Sequence, residues 1–250
     1  MPDDDLSTAQ LRRQASSFGA AADADERGRP PYPPEAVDWL LPDGASRVLD
    51  LGAGTGKLTR QLRDHGLDVV AVEPSAGMRE QLARSVPGVT VHAGSAEEIP
   101  LPDGSVDAVV VAQAWHWVDR SRAVPEVARV LVPGGQLGLV WNIRDEREDW
   151  VADLGRIMHD PNDHRRQDRG IIGPPFGPVE RREVEWEHQL SRDELIDLAA
   201  SRSYVITMPD EQRAAVLAGV RNLAGHRPGL AGSDVLLLPY VTECYRARLG

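Results

Sequence analysis

The sequence predicts an α/β protein built on a doubly wound sheet of seven strands, the last running antiparallel. Two observations carry this. Between residues 47 and 141 five short apolar runs alternate with stretches of helical spacing, the order that right-handed crossovers turn into neighbouring parallel strands. Val106 to Val111 is an almost uninterrupted apolar run, as expected of a strand covered on both faces.

The elements follow in order. Residues 1 to about 34 read as an irregular or partly helical lead-in, ending in Arg29-Pro30-Pro31-Tyr32-Pro33-Pro34, whose prolines hold the backbone extended. Glu35 to Leu41 is a short helix stopped by Pro42-Asp43-Gly44. Val48 to Leu51 is a first strand, and Lys57 to His65 a helix ended by Gly66. Asp68 to Glu73 is a second strand, and Ser75 caps a helix running to about Ser85. Val89 to His92 and Val106 to Val111 are the third and fourth strands. Arg120 to Leu131 is helical, Pro133-Gly134-Gly135 a turn, and Gln136 to Trp141 the fifth strand. Further on, Asp145 to Met158 is read as a helix, His159 to Gly177 as a polar loop, and Val179 to Leu190 as a strand. Ser191 opens a helix with Glu194 at capping-box spacing, Glu211 to Leu223 is a helix, and Asp234 to Ala247 is the returning strand. The chain is thus expected to be one domain over 1–250: lead-in or lid to 41, core over 42–142, a lid and roof over 143–232, and a final strand over 233–250.

Composition narrows the function. The chain has 250 residues and a formal net charge of −11, a balance that repels phosphate backbones and argues against a nucleic-acid substrate. The basic stretch His164-Arg165-Arg166-Gln167-Asp168-Arg169 reads as a solvated loop. With Cys244 as the single cysteine, no internal disulfide or cysteine-based zinc cluster is expected, and a reducing cytoplasm fits. No secretory signal is read at the amino terminus, and no apolar run approaches the roughly 20 residues of a membrane helix. His159, Asp160, Asp163 and His164 match no compact zinc spacing, so no metal site is expected. Cys244 sits in an apolar segment and reads as core.

The sharpest signal is Asp50-Leu51-Gly52-Ala53-Gly54-Thr55-Gly56, between a strand and a helix. Glycines let the backbone turn and approach a ligand closely, and the helix that follows directs its amides at the same place. Glu73 ends the next strand about 20 residues on, where a carboxylate can accept both hydroxyls of a ribose. A dinucleotide fingerprint would put its third glycine at position 57, which is Lys57, so the spacing disfavours a nicotinamide cofactor.

The D-x-G-x-G-x-G spacing resembles motif I of class I S-adenosylmethionine-dependent methyltransferases, and the similarity runs from about Phe18 to Ala247. Val70 to Met78 resembles motif II, Gly94 to Pro102 the adenine-holding segment, and Gln113 to Trp117 the segment after the fourth strand. Arg129 to Gly135 is similar to the turn before the fifth strand. Within the family, Arg29 to Pro33 resembles the lead-in of the small-molecule branch that includes the trans-aconitate type. The resemblance implies the class I fold, S-adenosylmethionine as cofactor and a small-molecule methyl acceptor, with neither nucleic acid nor membrane as partner. Carried over residue by residue, it puts Gly52, Gly54, Thr55 and Gly56 along the methionine part of the cofactor. Asp50 holds the loop or reaches the amino group through water, Glu73 binds the ribose beside Pro74, and Met78 packs on the adenine. Ser95, Ala96 and Glu97 meet the adenine edge, Gln113 lies near the sulfonium, and Arg29 belongs to the cofactor lid. Met78 also reads as core filler, and Asp50 and Ser95 as turn caps.

Transfer of the methyl group is an in-line displacement that needs alignment, plus a base when the acceptor must lose a proton. His116, between Trp115 and Trp117, is the candidate base; a packed histidine is the competing reading. Trp115 and Trp117 are candidates for an apolar wall against substrate or cofactor, with core packing of one of them the competing reading, and Tyr32 is a further candidate on the substrate side. Asp25 stands where this branch often carries an aromatic residue, which would alter the polarity of the acceptor pocket. That departure keeps open a second function, a cyclisation or rearrangement with S-adenosylmethionine only as a bound element. A methyltransferase-like protein without catalysis is the third.

Overall fold

The computed structural model describes residues 29–158, 169–227, 230 and 234–250. Seven strands form one sheet in the order β3-β2-β1-β4-β5-β7-β6. They are β1 Arg47–Leu51, β2 Asp68–Val72, β3 Thr90–His92, β4 Val106–Ala112, β5 Leu131–Arg144, β6 Glu180–Leu190 and β7 Leu236–Arg248. Strands β1 to β5 pair in parallel, with Asp50 opposite Ala71 and Leu49 opposite Val109. The last strand is antiparallel, so the predicted doubly wound sheet is the observed one. The described residues fall into two compact units, one from 31–143, 169–186 and 241–250, the other from 29–30, 144–158, 187–227, 230 and 234–240.

In the first unit the two-residue period of the strands sorts side chains to opposite faces. Leu49, Leu51, Val70, Val72, Val109, Val111, Leu137 and Leu139 join Ala123, Val127 and Val130 of helix α4 (Arg120–Val130) in one core. Val48, Val69, Ala108, Val110 and Val140 face the other way. They pack with Ala36, Val37 and Leu40 of α1 (Pro34–Leu40) and Leu58 and Leu62 of α2 (Lys57–Asp64). Each such side chain contributes about 1.5–3 kcal/mol by leaving water. Helix α3 (Ala76–Ser85) starts where Ser75 Oγ accepts the Met78 amide, as its sequence position predicts. Asp107 Oδ2 accepts the amides of Ser46 and Arg47 at 2.8 and 2.9 Å, which fixes the start of β1 against β4.

One boundary differs in kind. Pro133-Gly134-Gly135, expected as a free turn, lies inside β5, because Leu131 already pairs with Val106 and the register shifts before Gln136 meets Ala108. The segment after β4 closes as a 3-10 turn over Trp115–Trp117. Cys244 is fully buried, and burial pushes its thiol up to about 12, as a core residue requires.

The second unit holds α5 (Asp149–Ile157), α6 (Arg192–Ala200), α7 (Ser203–Ile206) and α8 (Asp210–His226). Ser191 and Glu194 form the predicted capping box. Leu154, Met158, Leu195, Leu198, Val205 and Val220 are among its buried apolar residues. Among the described residues no helix is long and apolar enough to cross a membrane.

Candidate functional site

The glycine-rich loop leaves β1 with three residues in the left-handed region: Gly52 at φ 73°, Gly54 at 57° and Gly56 at 93°. Their neighbours separate their roles. A Cβ on Gly56 would stand 2.9 Å from Leu82 Cγ and 3.2 Å from Val86 Cγ2, so this glycine lets α2 and α3 pack closely. A Cβ on Gly52 would meet Ala114 at 3.1 Å, whereas one on Gly54 would find only Met78 Sδ at 4.0 Å. Gly54 therefore opens onto space, the cradle a ligand backbone approach needs.

Two buried carboxylates belong to the loop and the next strand end. Glu73, 5 % exposed, accepts the Gly54 amide on one oxygen at 3.0 Å and the Ser75 amide on the other at 2.8 Å. Its two oxygens have further lone pairs for ribose hydroxyls. Asp50 is fully buried; its Oδ2 accepts from Thr59 Oγ1 at 2.6 Å, while Oδ1 has no hydrogen-bond partner among the described residues. Burial pushes Asp50 up to about 7; the Thr59 bond opposes this and the Glu73 charge adds to it. A buried orphan carboxylate oxygen beside an open glycine is a place for a cationic group. Together with Glu73 it fits the amino group and ribose of S-adenosylmethionine.

The segment expected at the adenine is built by long-range polar contacts. Ser95 and Glu98 pair through their backbones, Ser95 Oγ accepts the Glu97 amide at 3.3 Å, and Ala96 is buried. Glu97 Oε1 accepts the Asp119 amide at 2.8 Å. From α4, Glu126 accepts the Ile99 amide at 3.0 Å, and Arg129 donates to the carbonyls of Ile99 and Leu101 at 2.9 and 2.8 Å. The Arg129 hydrogen bond pulls the Glu126 carboxyl down to about 2. Met78 is buried beside the loop, and Pro74 is exposed with its carbonyl taken by Arg79.

At the end of β4, Gln113 has φ 58°, the one positive value among the described residues other than glycine. Its amide donates to Val140 at 2.9 Å and its side chain to the Asn142 carbonyl at 3.2 Å. Such backbone strain persists where the surroundings hold it, commonly at binding sites. Trp115 is packed in the core with its indole N–H on the Ile171 carbonyl at 3.1 Å. His116 and Trp117 are half-buried, ring centroids 4.8 Å apart. Trp141 Nε1 points at His116 Nδ1 from 3.5 Å, a long contact that favours the neutral tautomer with its proton on Nε2. Tyr32 is buried, its backbone held from both sides by Gln61 at 2.9 and 2.7 Å.

Arg29 lies in the second unit, donating to the Ser201 carbonyl at 3.3 Å. Asp25, His159, Asp160, Asp163, His164 and the basic stretch up to Asp168 lie outside the described residues; Arg169 is paired with Glu243 at 3.0 Å. Among the described residues no group of three or more metal-ligating side chains occurs. Sequence reasoning missed Thr59, Gln61, Glu126 and Asn142. Only Thr59, one helical turn from the glycine loop and facing the predicted β1, left a signal.

Comparison with known proteins agrees with this geometry. Residues 49–139, the span from β1 to β5, match the family model described as a methyltransferase domain. An uncharacterized methyltransferase of Mycobacterium tuberculosis is 58 % identical over 242 residues, covering 97 % of this chain and 99 % of the relative. An uncharacterized methyltransferase-like protein of Schizosaccharomyces pombe is 34 % identical, covering 88 % and 90 %. A solved protein of Anaeromyxobacter dehalogenans, proposed to be a type II methyltransferase, superposes with a TM-score of 0.70 at 26 % identity, covering 88 % of this chain and 98 % of its own. Relatives of this identity cover nearly the whole chain, and the chain belongs to the class I S-adenosylmethionine-dependent methyltransferases.

Proposed function

We propose that this enzyme transfers the methyl group of S-adenosylmethionine to an oxygen, nitrogen or carbon atom of a small metabolite or natural product, in the cytosol. The observation that carries the cofactor assignment is the open Gly54 held by Glu73, with the orphan oxygen of Asp50 on the strand that leads into the loop. The bound sulfonium supplies an already activated methyl group, so alignment is the main contribution asked of the protein. Glu73 and Asp50 hold the cofactor's ribose and amino group, Gly54 lets the loop lie against it, and the segment 94–102 receives the base. Gln113, fixed at a strained φ by Val140 and Asn142, sets the floor near the donor methyl. His116 takes the acceptor's proton when one must leave, on Nδ1, which requires release of the long Trp141 contact. Trp117, half-buried beside it, supplies apolar wall. A net charge of −11 disfavours nucleic acid as acceptor.

The test is calorimetric titration with S-adenosylmethionine, S-adenosylhomocysteine and a nicotinamide dinucleotide, followed by transfer of labelled methyl into a library of metabolites. Binding of the two adenosyl compounds alone and a labelled small product support the reading; failure of both to bind a folded sample overturns it. His116→Ala should lower turnover while cofactor affinity holds. An unaffected rate would remove it as the base.

A further inference from the structure

The β4–β5 ladder ends with Ala112 opposite Val140, and the next residue, Gln113, reaches β5 twice. Its backbone amide donates to the Val140 carbonyl at 2.9 Å, and its side-chain Nε2 donates to the Asn142 carbonyl at 3.2 Å. A carbonyl only accepts, so the side-chain amide must turn its N–H toward Asn142, which turns Oε1 the other way. No described residue donates to that oxygen.

Asn142 is fixed in turn by its own side chain. Its Nδ2 donates to the Pro31 carbonyl at 2.9 Å, again a pure acceptor, so Oδ1 takes the Thr242 hydroxyl at 2.6 Å. With its proton committed, Thr242 accepts the Trp186 indole N–H at 2.8 Å. Donors and acceptors therefore run in one direction from β6 through β7 to β5, all within the first unit. Thr242 is wholly buried and Asn142 nearly so. Every polar atom of these two side chains has a partner, and turning either would leave a buried group unpaired. This frame holds the carbonyl to which Gln113 is tied at its φ of 58°.

An amide oxygen carries partial negative charge. It attracts a sulfonium and its polarised methyl, and gains little from the neutral sulfur of S-adenosylhomocysteine. We propose that Asn142 is a positioning residue for methyl transfer: backed by Thr242 and Trp186, it turns the Gln113 amide so that Oε1 faces the sulfonium. The proposal rests on the methyl-transfer reading above, which puts Gln113 near the donor methyl.

The test titrates the full chain with S-adenosylmethionine and S-adenosylhomocysteine by calorimetry and follows the ratio of the two affinities. A packing defect weakens both compounds alike and leaves the ratio in place, whereas loss of an oxygen at the sulfonium weakens S-adenosylmethionine alone. Gln113→Ala should lower the preference for S-adenosylmethionine about fivefold. Thr242→Val keeps the shape but removes the hydroxyl, and should lower it about threefold, as should Asn142→Ala. Thr242→Ser restores the hydroxyl and should return the ratio of the unmodified protein. Should Asn142→Ala not fold, the two Thr242 variants decide alone. An unchanged ratio in folded Thr242→Val, or one that Thr242→Ser does not restore, overturns the positioning role. An unchanged ratio in Gln113→Ala overturns the contact it serves. Failure of both compounds to bind the unmodified protein overturns the methyl-transfer reading instead.

Discussion

Glu73 carries two duties that a ligand series can separate. Its carboxylate holds the amides of Gly54 and Ser75 at 3.0 and 2.8 Å inside a nearly closed site. Glu73→Ala takes the acceptor from both donors and leaves the buried Ser75 amide unsatisfied, a loss of about 2–4 kcal/mol in stability. In a chain of this size that lowers Tm by roughly 5–15 °C. If the same oxygens also accept the ribose hydroxyls, each hydroxyl adds about 1.5–3 kcal/mol to cofactor affinity, tenfold or more. A fall in affinity alone does not distinguish a lost contact from a misshapen loop. Glu73→Gln keeps the volume and one acceptor oxygen, and the decisive assay is a cycle. Calorimetry with S-adenosylhomocysteine and its 2′-deoxy analogue, on the unmodified protein and on Glu73→Gln, gives four affinities. The unmodified protein should prefer the ribose form at least tenfold, and the variant should lose most of that preference. Equal preference in both proteins would refute ribose binding by Glu73 and leave it as a loop anchor only.

Asp50 gives a pH signature. Its folded-state value is raised from 3.8 to about 7, mainly by burial, so its stabilising contribution is full below 3.8 and is lost as pH rises through 7. The cofactor-free protein should lose on the order of 2–4 kcal/mol between about pH 4 and 7 from this group, and Asp50→Asn should flatten that slope in denaturant titrations. The two outer loop glycines should part company. Gly56→Ala combines a positive φ with a 2.9 Å approach to Leu82 and should cost about 2–4 kcal/mol by thermal melting. Gly54→Ala should cost only about 1–2 kcal/mol yet lose most S-adenosylmethionine binding, because its Cβ enters the open cradle. Arg129→Met removes donors to Ile99, Leu101, Glu126 and Asp103. It should lower stability by roughly 2–3 kcal/mol and raise the KM for S-adenosylmethionine several-fold, with kcat little changed.

What was legible in the sequence is what sits close along the chain. The strand–loop–helix unit around Asp50 to Thr59 reads directly, because apolar periodicity and glycines at turns are properties of neighbours. Glu73 is found from its place at a strand end, 19 residues from the amide it holds. The illegible parts are polar and distant. Arg129 belongs by spacing to a helix surface, yet it ties down carbonyls 28 and 30 residues earlier. Trp115 stands beside His116 and Trp117 in sequence and invites a pocket wall. The 3-10 turn rotates it instead into the core, while its two neighbours stay half-buried. The sequence shows that a strand ends just before this segment but not how the chain then winds, and that winding decides which ring is buried.

A run of long-range contacts converges on Asn142. Trp186 Nε1 donates to Thr242 Oγ1 at 2.8 Å, Thr242 donates on to Asn142 Oδ1 at 2.6 Å, and Asn142 Nδ2 donates to the Pro31 carbonyl at 2.9 Å. Asn142 and Thr242 are buried, so each bond stands in for one lost to water, and a break anywhere leaves an unpaired group. The same asparagine's carbonyl receives Gln113. One residue thus couples the extended lead-in, held at Tyr32 by Gln61, to the strained residue at the end of β4. A glutamine at φ 58° would relax unless something held it. The chain from β6 through β7 to β5 does so from residues 29 to 129 positions away in sequence. Single-residue patterns therefore show Gln113 as a candidate but not what keeps it in place.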